Sequence, residues 1–399
     1  MKVLPTSNGP RDEAQGRLPI RLRGVRWNSV PWHVLLLGLG LLAVGLGFQR
    51  AMSEAEGGVG ISFRGHLQKV LVSAPVLVAA FLARPRWLRR RWWWVYGASL
   101  VLLLLVPFIG LERNYAKRWI ETPVFDLQPS EFMKIALVVA LAGALHRNRL
   151  TRLRDWLLPL ALALVPMGLV AFQPDLGTAL TIVPVTVGML YLAGASGRVL
   201  SGAILGVALV ALLAVRFERG VLDYQLERID TWTMSFSPQD LIDGRRGPAF
   251  HAYHARVAIG NGGLSGRGLG RGIANEAGIL PERESDSIIA VIAEEGGWWG
   301  GTGLLVLYTL FVLGMMQTAV GLRDRHARLV LGGVALYFGS HLFIHSAVNL
   351  GLLPMTGLTL PLLSTGGSSL LASFAALGLA LGCAANHEAA LDKDAFRSY

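Results

Sequence analysis

The chain has 399 residues, of which 53% are hydrophobic and only 16% are charged, a composition that excludes an ordinary soluble protein. Its formal net charge of +11 comes from Lys and Arg scattered among short connections, which excludes the single basic face of a nucleic-acid-binding protein. The apolar residues fall in blocks of about 17 to 25, the length that crosses a bilayer as a helix.

These blocks predict an all-α fold, a polytopic membrane protein with ten transmembrane helices. In chain order, the predicted spans are residues 32–49, 69–83, 93–111, 131–145, 156–172, 176–194, 199–216, 286–317, 328–350 and 366–385. We expect one membrane domain over residues 31–386, with a basic tail at 1–30 before it and a second tail at 387–399 after it. A large polar loop, 217–285, separates the seventh helix from the eighth.

The arginines predict the orientation, because short loops rich in Lys and Arg stay in the cytoplasm. Arginine clusters occur in the N-terminal tail and in the connections after the second, fourth and eighth spans, which all fall on one side of the membrane. We therefore expect both termini to be cytoplasmic and the 217–285 loop to lie outside. The positive charge also suits contact with anionic membrane lipids.

The large loop ends in the acidic run Pro281-Glu282-Arg283-Glu284-Ser285-Asp286, directly before the eighth span. A carboxylate in or beside a bilayer costs on the order of 2 to 4 kcal/mol, so such groups are candidates for function. Asp286 is therefore the first candidate for chemistry. Within the loop, residues 224–232 predict an amphipathic helix. The glycines of 260–272 predict a flexible turn region whose amides, with Arg267 and Arg271, could meet an anion; an ordinary loop without a ligand is the alternative.

Other polar groups at or within predicted helices allow two interpretations each. Glu131 and Lys134 are three residues apart on one helix face, so they either form an internal ion pair or offer a cation to a phosphate. Asp175 either caps the sixth helix or faces a substrate. The four-residue spacing of His341 and His345 in the ninth span favours interhelical hydrogen bonds over a metal site.

Short motifs in a fixed order carry a resemblance that covers residues from about 35 to 385. They are Lys117-Arg118-Trp119-Ile120, Gln128-Pro129-Ser130-Glu131, Gln173-Pro174-Asp175-Leu176-Gly177-Thr178, Ala258-Ile259-Gly260-Asn261-Gly262-Gly263, Pro281-Glu282 with Asp286, Glu294-Glu295-Gly296, Gly357-Leu358-Thr359-Leu360-Pro361 and Gly366-Gly367-Ser368-Ser369. In this combination the chain resembles the SEDS family (shape, elongation, division and sporulation), to which the FtsW and RodA proteins belong. The motif that begins at Gly357 resembles FtsW more than RodA.

The resemblance implies ten transmembrane helices and a peptidoglycan glycosyltransferase that polymerises lipid II at the outer face of the bacterial cytoplasmic membrane. It also implies that Asp286 is the essential acidic residue and that Trp119 is functionally sensitive. Further substrate contacts are expected from polar residues in or beside the shared motifs, namely Arg118, Glu131, Lys134, Asp175, Glu282 and Ser368. The implied partner is a class B penicillin-binding protein, a transpeptidase.

The chemistry of chain growth fits these residues. An acceptor hydroxyl attacks the anomeric carbon of a lipid-diphosphate donor, and a carboxylate can take the proton as general base. The departing diphosphate needs positive charge, which Arg118, Lys134 or Arg267 could supply; a divalent cation, Mg²⁺ or Mn²⁺, is a further source. Two alternatives stay open at this point. One is a flippase for the lipid-linked cell-wall precursor, and the other is an inactive scaffold for a transpeptidase.

Overall fold

The computed structural model is mostly helical and describes residues 27–55, 61–113, 116–122, 126–216, 223–247, 249–273, 280 and 282–386. The predicted tails at 1–30 and 387–399 therefore lie outside the described residues, apart from a short 3-10 turn at Trp27–Ser29. The first half of the chain forms seven helices: α1 (Trp32–Ala55), α2 (Ile61–Leu82), α3 (Pro85–Ile109), α4 (Pro129–Leu145), α5 (Arg154–Phe172), α6 (Leu176–Leu192) and α7 (Gly197–Arg216).

The described part of the 217–285 loop contains three short α-helices, and three long helices follow the loop. The short ones are α8 (Asp223–Met234), α9 (Pro238–Asp243) and α10 (Phe250–Asn261), so the helix expected over residues 224–232 is present. The long ones are α11 (Ile288–Gly321), α12 (Arg325–Asn349) and α13 (Gly367–Asn386).

A helix covers each of the ten predicted spans, and seven of these helices are long and apolar enough to cross a membrane: α1, α2, α3, α5, α11, α12 and α13. The other three are α4 and α6, with 17 residues each, and α7. A polytopic helical membrane architecture is thus confirmed. The count of ten crossings stays a prediction.

Two departures from the expected fold concern the segment before α4 and the helix starts. A two-stranded antiparallel hairpin, β1 (Leu111–Arg113) and β2 (Ala116–Trp119), adds a small sheet to a fold expected to be purely α. In addition, α2 and α3 each begin eight residues earlier than predicted, because polar and arginine-rich turns continue the helices beyond their apolar parts.

The core lies among α4, α12 and α13, whereas α2 and α3 expose apolar side chains of the kind that face lipid. About 89% of the apolar stretch of α13 is buried, compared with 11% for α3. Two glycines of α13 permit close contact with α2. A methyl group added at Gly378 would lie 2.2 Å from the carbonyl oxygen of Leu77, and one at Gly382 would lie 2.4 Å from that of Phe81. Small residues at helix contacts are typical of membrane bundles.

Candidate active site

A polar cavity of about 540 Å³ opens at the end of the bundle where α4, α6, α11 and α13 begin. Its wall is formed by α2, the β1–β2 hairpin, α8, the turn before α11 and the segment that joins α12 to α13. The residues that border it are Lys69, Arg118, Trp119, Asp126, Gln128, Arg228, Glu282, Ser285, Asp286, Thr356, Gly357, Thr359, Thr365, Gly366, Gly367, Ser368 and Ser369. Most of these residues are polar or charged.

Asp286 sits in a compact turn that the rest of the fold holds in place. The backbone amides of Ser285, Asp286 and Ser287 all donate to the carbonyl oxygen of Glu282, at 3.0, 2.9 and 3.2 Å. From α12, the Asn349 side-chain amide donates to the carbonyl oxygen of Asp286 at 3.0 Å. The Ser364 hydroxyl donates to that of Ser285 at 2.6 Å. The direction of the Asp286 side chain is therefore set by both long-range and local bonds.

The Asp286 carboxyl is half-buried at the cavity wall, against the backbone of Gly357. Burial and, to a smaller extent, the neighbouring Glu282 carboxylate together raise its pKa to about 7, although a hydrogen bond from Ser285 opposes the rise. A carboxylate with a pKa near neutral is well suited to accept a proton from a substrate hydroxyl.

Arg118 and Trp119 reach the cavity from strand β2. The Arg118 guanidinium donates through Nε to the carbonyl oxygen of Gln173 at 3.1 Å and through Nη2 to that of Pro174. It also lies over the Trp119 ring, 6.0 Å from the ring centre. Arg118 thus anchors the hairpin to the α5–α6 connection while its remaining N–H groups border the cavity.

Comparisons with known proteins decide the family. A family model described as a cell cycle protein of the FtsW, RodA and SpoVE type matches residues 29–389. The chain belongs to the FtsW/RodA/SpoVE family. A probable peptidoglycan glycosyltransferase FtsW from Thiomicrospira cyclica is 36% identical over 87% of this chain and 90% of its own length. The peptidoglycan glycosyltransferase MrdB of Escherichia coli is 33% identical over 72% of this chain and 76% of its own length.

Solved structures agree with this assignment. The crystal structure of the rod shape determining protein RodA from Thermus thermophilus superimposes with a TM-score of 0.67 at 28% identity, covering 93% of this chain and 99% of that one. A chain of a peptidoglycan synthase complex, described as coordinating polymerisation and crosslinking, superimposes with a TM-score of 0.75 at 29% identity. It covers 93% of this chain and 100% of that one. The sequence resemblance to the SEDS family is thus confirmed.

In the structure of the present chain, five of the predicted site residues lie together around the cavity: Arg118, Trp119, Glu282, Asp286 and Ser368. Ser368 donates its hydroxyl to the carbonyl oxygen of Asp126 and accepts the backbone amide of Gln128, both at 2.7 Å. Its hydroxyl is thus already engaged in joining the start of α13 to the start of α4.

Three predicted contacts, Glu131, Lys134 and Asp175, are not among the described residues that border the cavity. Lys134 Nζ lies 2.8 Å from Glu131 Oε1 and 2.9 Å from His341 Nε2, with both charged side chains almost fully buried. This geometry favours the ion-pair interpretation over a phosphate contact, because the charges already neutralise each other where water is excluded. The expected interhelical role of His341 agrees with it.

Asp175 performs the capping role. Its Oδ1 accepts the backbone amide of Thr178 at 3.1 Å, and its Oδ2 accepts the Gln128 side-chain amide at 2.9 Å. Gln128 borders the cavity, so Asp175 supports the wall from behind. Each oxygen thus accepts one structural bond, and a direct substrate contact by Asp175 stays a prediction.

The glycine-rich segment is less open than its composition suggests. The amides of Arg267 and Gly268 donate to the carbonyl oxygens of Glu294 and Glu295 at 3.1 and 3.0 Å, and the amide of Gly270 donates to the Glu295 carboxylate at 3.0 Å. These amides are therefore occupied by α11. The expectation of a flexible, anion-binding loop is wrong in this respect.

Sequence reasoning missed Lys69, which borders the cavity from α2. The predicted second span begins at residue 69, so Lys69 falls at its boundary and is not among the predicted site residues. Because α2 begins at Ile61, Lys69 lies two turns inside a membrane-type helix. Cations are rare within such helices, and one that borders a polar cavity is itself a signal of function.

A divalent cation at the site stays a prediction. Among the described residues, no group of three or more His, Cys, Asp or Glu side chains is placed to hold a metal. Mg²⁺ is usually bound by one or two carboxylates together with substrate phosphates, so this finding does not bear on a substrate-dependent ion. Asp126, Glu282 and Asp286 are the carboxylates that border the cavity.

Proposed function

We propose that this chain, a peptidoglycan glycosyltransferase by its family, polymerises lipid II with Asp286 as the general base. The observation that carries the proposal is the Asp286 carboxyl, held by a fixed turn at the wall of a polar cavity at the end of the bundle. Its pKa of about 7 leaves a large ionised fraction at neutral pH.

The reaction needs one carboxylate. The acceptor 4-hydroxyl attacks the anomeric carbon of the donor while Asp286 takes the hydroxyl proton, and the bond to the lipid diphosphate breaks. A glycosidase needs a second, protonated carboxyl because it expels an alkoxide. A diphosphate leaves as a stable anion and needs positive charge instead. A single displacement inverts the anomeric centre, from α in the donor to β in the product.

We place the cavity at the outer face of the bacterial cytoplasmic membrane, with ten crossings and both termini in the cytoplasm. The basic connections support this orientation, because they contact one another at the end of the bundle opposite the cavity. Arg325 donates to the carbonyl oxygens of Asn148 and Ala193 at 3.0 and 2.8 Å, and Arg89 lies 3.6 Å from Asp324. Loops of this composition stay in the cytoplasm.

The proposed partner is a class B penicillin-binding protein that crosslinks the glycan strands. The structural similarity to a chain of a peptidoglycan synthase complex supports such a partner. The sequence motif that begins at Gly357 favours a role in division, of the FtsW type, over elongation. The 36% identity to an FtsW, against 33% to MrdB, is in line with that preference.

The direct test uses purified protein, labelled lipid II and separation of products on a gel. We expect glycan ladders from the wild type and a loss of at least about 100-fold for Asp286→Asn, since the base is removed while the shape is kept. Asp240→Asn, on the exposed surface of α9, is the matched control and should polymerise normally.

The same preparation distinguishes the alternatives. If the wild type moves lipid II across vesicle membranes and makes no glycan, the chain is a flippase and the proposal is wrong. If neither activity occurs with or without the transpeptidase partner, the scaffold interpretation is favoured.

A further inference from the structure

The start of helix α13 has the features of an anion site. The helix is 20 residues long, and residues Gly366 to Ser369 at its N-terminus border the cavity. The first N–H groups of any helix lack intrahelical partners, and the helix dipole places positive potential at this end. Such a terminus favours phosphate groups, although many helix starts in proteins bind nothing.

Ser369 provides an independent indication of a ligand. Its side chain is 95% buried by accessible area, since only 5% remains exposed. Its hydroxyl is buried and has no hydrogen-bond partner among the described residues, and Ser369 is one of the residues that border the cavity. A buried hydroxyl without a partner is destabilising, and a ligand oxygen at this position would satisfy it.

Lys69 brings a full charge to the same place. Its ammonium group donates to the carbonyl oxygen of Thr365 at 3.0 Å, one residue before Gly366. An ammonium group has three hydrogens to donate, so two remain for a ligand in the cavity. Asp126 and Glu282 also border the cavity and would repel an anion. The favourable position is therefore where the cation and the helix terminus coincide.

Hydrogen bonds connect this position with the turn that carries the proposed base, Asp286. The Thr365 amide donates to the carbonyl oxygen of Glu284 at 3.1 Å, and the Ser364 hydroxyl donates to that of Ser285 at 2.6 Å. The 364–365 segment thus connects Lys69 with the turn that carries Asp286. A donor with its diphosphate on Lys69 and an acceptor with its 4-hydroxyl at Asp286 would then meet within one cavity.

We propose that Lys69, the Ser369 hydroxyl and the first-turn amides of α13 form an oxyanion subsite for the diphosphate of the lipid-linked donor. The subsite deepens the proposed function and rests on it for the identity of the ligand. Its charge would stabilise the diphosphate as the bond to the sugar breaks. Lys69 and Ser369 act on the leaving group, whereas Asp286 acts on the acceptor.

The test measures binding directly, by calorimetry on purified full-length protein, with inorganic diphosphate and a short-chain polyprenyl diphosphate as probes. We expect Lys69→Met to weaken the binding of both by at least about tenfold, as for the loss of a charged hydrogen bond. Lys69→Arg should retain part of the affinity. Lys117→Met removes a lysine exposed at the same end of the bundle and away from the cavity wall, and should bind as the wild type does.

Ser369→Ala gives a second, independent variant. It removes a hydroxyl without a partner, so its thermal stability should equal or exceed that of the wild type, while its diphosphate affinity falls about tenfold. A purely structural role would instead lower stability and leave affinity unchanged. Wild-type affinity in both Lys69→Met and Ser369→Ala would overturn the proposal.

Further measurements distinguish a lipid-linked donor from a membrane phospholipid as the ligand, and failure of the subsite proposal from failure of the proposed function. Tighter binding of the polyprenyl probe supports a lipid-linked ligand. Competition by phosphatidylglycerol as strong as that by the polyprenyl probe would overturn it. Asp286→Asn should keep its diphosphate affinity while losing polymerisation. If diphosphate binding depends on Lys69 but the wild type makes no glycan, the subsite stands as an anion site and the proposed function fails. If the wild type polymerises but neither Lys69→Met nor Ser369→Ala changes diphosphate binding, the proposed function stands and the subsite proposal is wrong.

Discussion

The surroundings of the Asp286 carboxyl suit it to act as a base but lower the stability of the fold. Its surroundings disfavour the charged form, through burial and through the Glu282 carboxylate, and so raise its pKa to about 7. Because the folded state holds this proton more tightly than the unfolded chain does, Asp286 reduces the free energy of unfolding as pH rises from about 4 to about 7. A loss of stability at the site of a base is typical of groups tuned for function rather than for folding.

The pKa of Asp286 leads to a prediction about pH dependence. We expect kcat/KM for polymerisation to rise with pH and to be half-maximal near pH 7, since only the ionised carboxyl accepts a proton. Glu282→Gln removes the neighbouring negative charge, which should lower the pKa of Asp286 and move the acidic limb of the profile to lower pH. Initial rates of glycan synthesis across a buffer series measure this shift.

A matched control is Glu227→Gln, which removes a carboxylate from the exposed surface of α8. Its pH profile should coincide with that of the wild type. A wild-type rate that is constant between about pH 6 and 8 would contradict the assignment of a base with this pKa. An acidic limb that stays in place in Glu282→Gln would show that Glu282 does not influence it.

At the scale of elements, α11 shows how the outer loop is fixed to the membrane bundle. The helix is interrupted at Gly297, where the backbone has φ +66° and ψ −163°. The glycine-rich segment enters this interruption, and the amides of Trp298 and Trp299 donate to the carbonyl oxygens of Gly263 and Leu264 at 2.8 and 3.4 Å. The loop and the helix thus complete each other's hydrogen bonds.

This contact predicts the effect of a single methyl group. Gly297→Ala would place Cβ 2.2 Å from the amide nitrogen of Gly266, at a backbone conformation that favours glycine. We expect a loss of stability of at least about 2 kcal/mol and release of the loop, measured by thermal unfolding and by protease cleavage within residues 262–272.

The same helix supplies the control. A methyl group at Gly303 has nothing within 4 Å, so Gly303→Ala should be neutral or stabilising by up to about 1 kcal/mol. Equal stability of the two variants would mean that the loop does not depend on the interruption.

Hydropathy was sufficient to locate the long helices, because apolar length is a local property of the chain. It placed the starts of α2 and α3 too late, since a helix continues through polar turns that hydropathy interprets as loop. That error concealed Lys69. The β1–β2 hairpin had no alternating pattern long enough to predict, and the fixed glycine-rich segment depends on carbonyl groups of α11 that are distant in sequence.

For the candidate site too, features that are local in the sequence could be predicted, whereas contacts between residues distant in sequence could not. Asp286, Arg118 and Trp119 could be found because the residue types and motifs are visible along the chain. Which polar residues face the cavity could not, since Lys134 satisfies its charge through Glu131 on its own helix and through His341, which is 207 positions away. Only the packed structure shows whether a charged side chain faces the cavity, where it can contact a substrate, or is already neutralised by another side chain.

At the scale of the whole molecule, the orientation makes a prediction that needs no substrate. The cavity and the 217–285 loop lie at one end of the bundle and the arginine-rich connections at the other, so a reagent that cannot cross the membrane should distinguish them. Leu264, in the glycine-rich segment, is 72% exposed, and Leu153, between α4 and α5, is 90% exposed. The single native cysteine, Cys383, is buried and should contribute little background.

We therefore expect Leu264→Cys to react with an impermeant maleimide in intact spheroplasts, and Leu153→Cys to react only after the membrane is permeabilised. The unsubstituted protein, with Cys383 alone, is the control for background and should stay unlabelled in both states. Labelling of Leu153→Cys in intact spheroplasts would place the arginine-rich end outside. It would also put the Asp286 cavity on the cytoplasmic side, where a base for polymerisation at the outer face could not act.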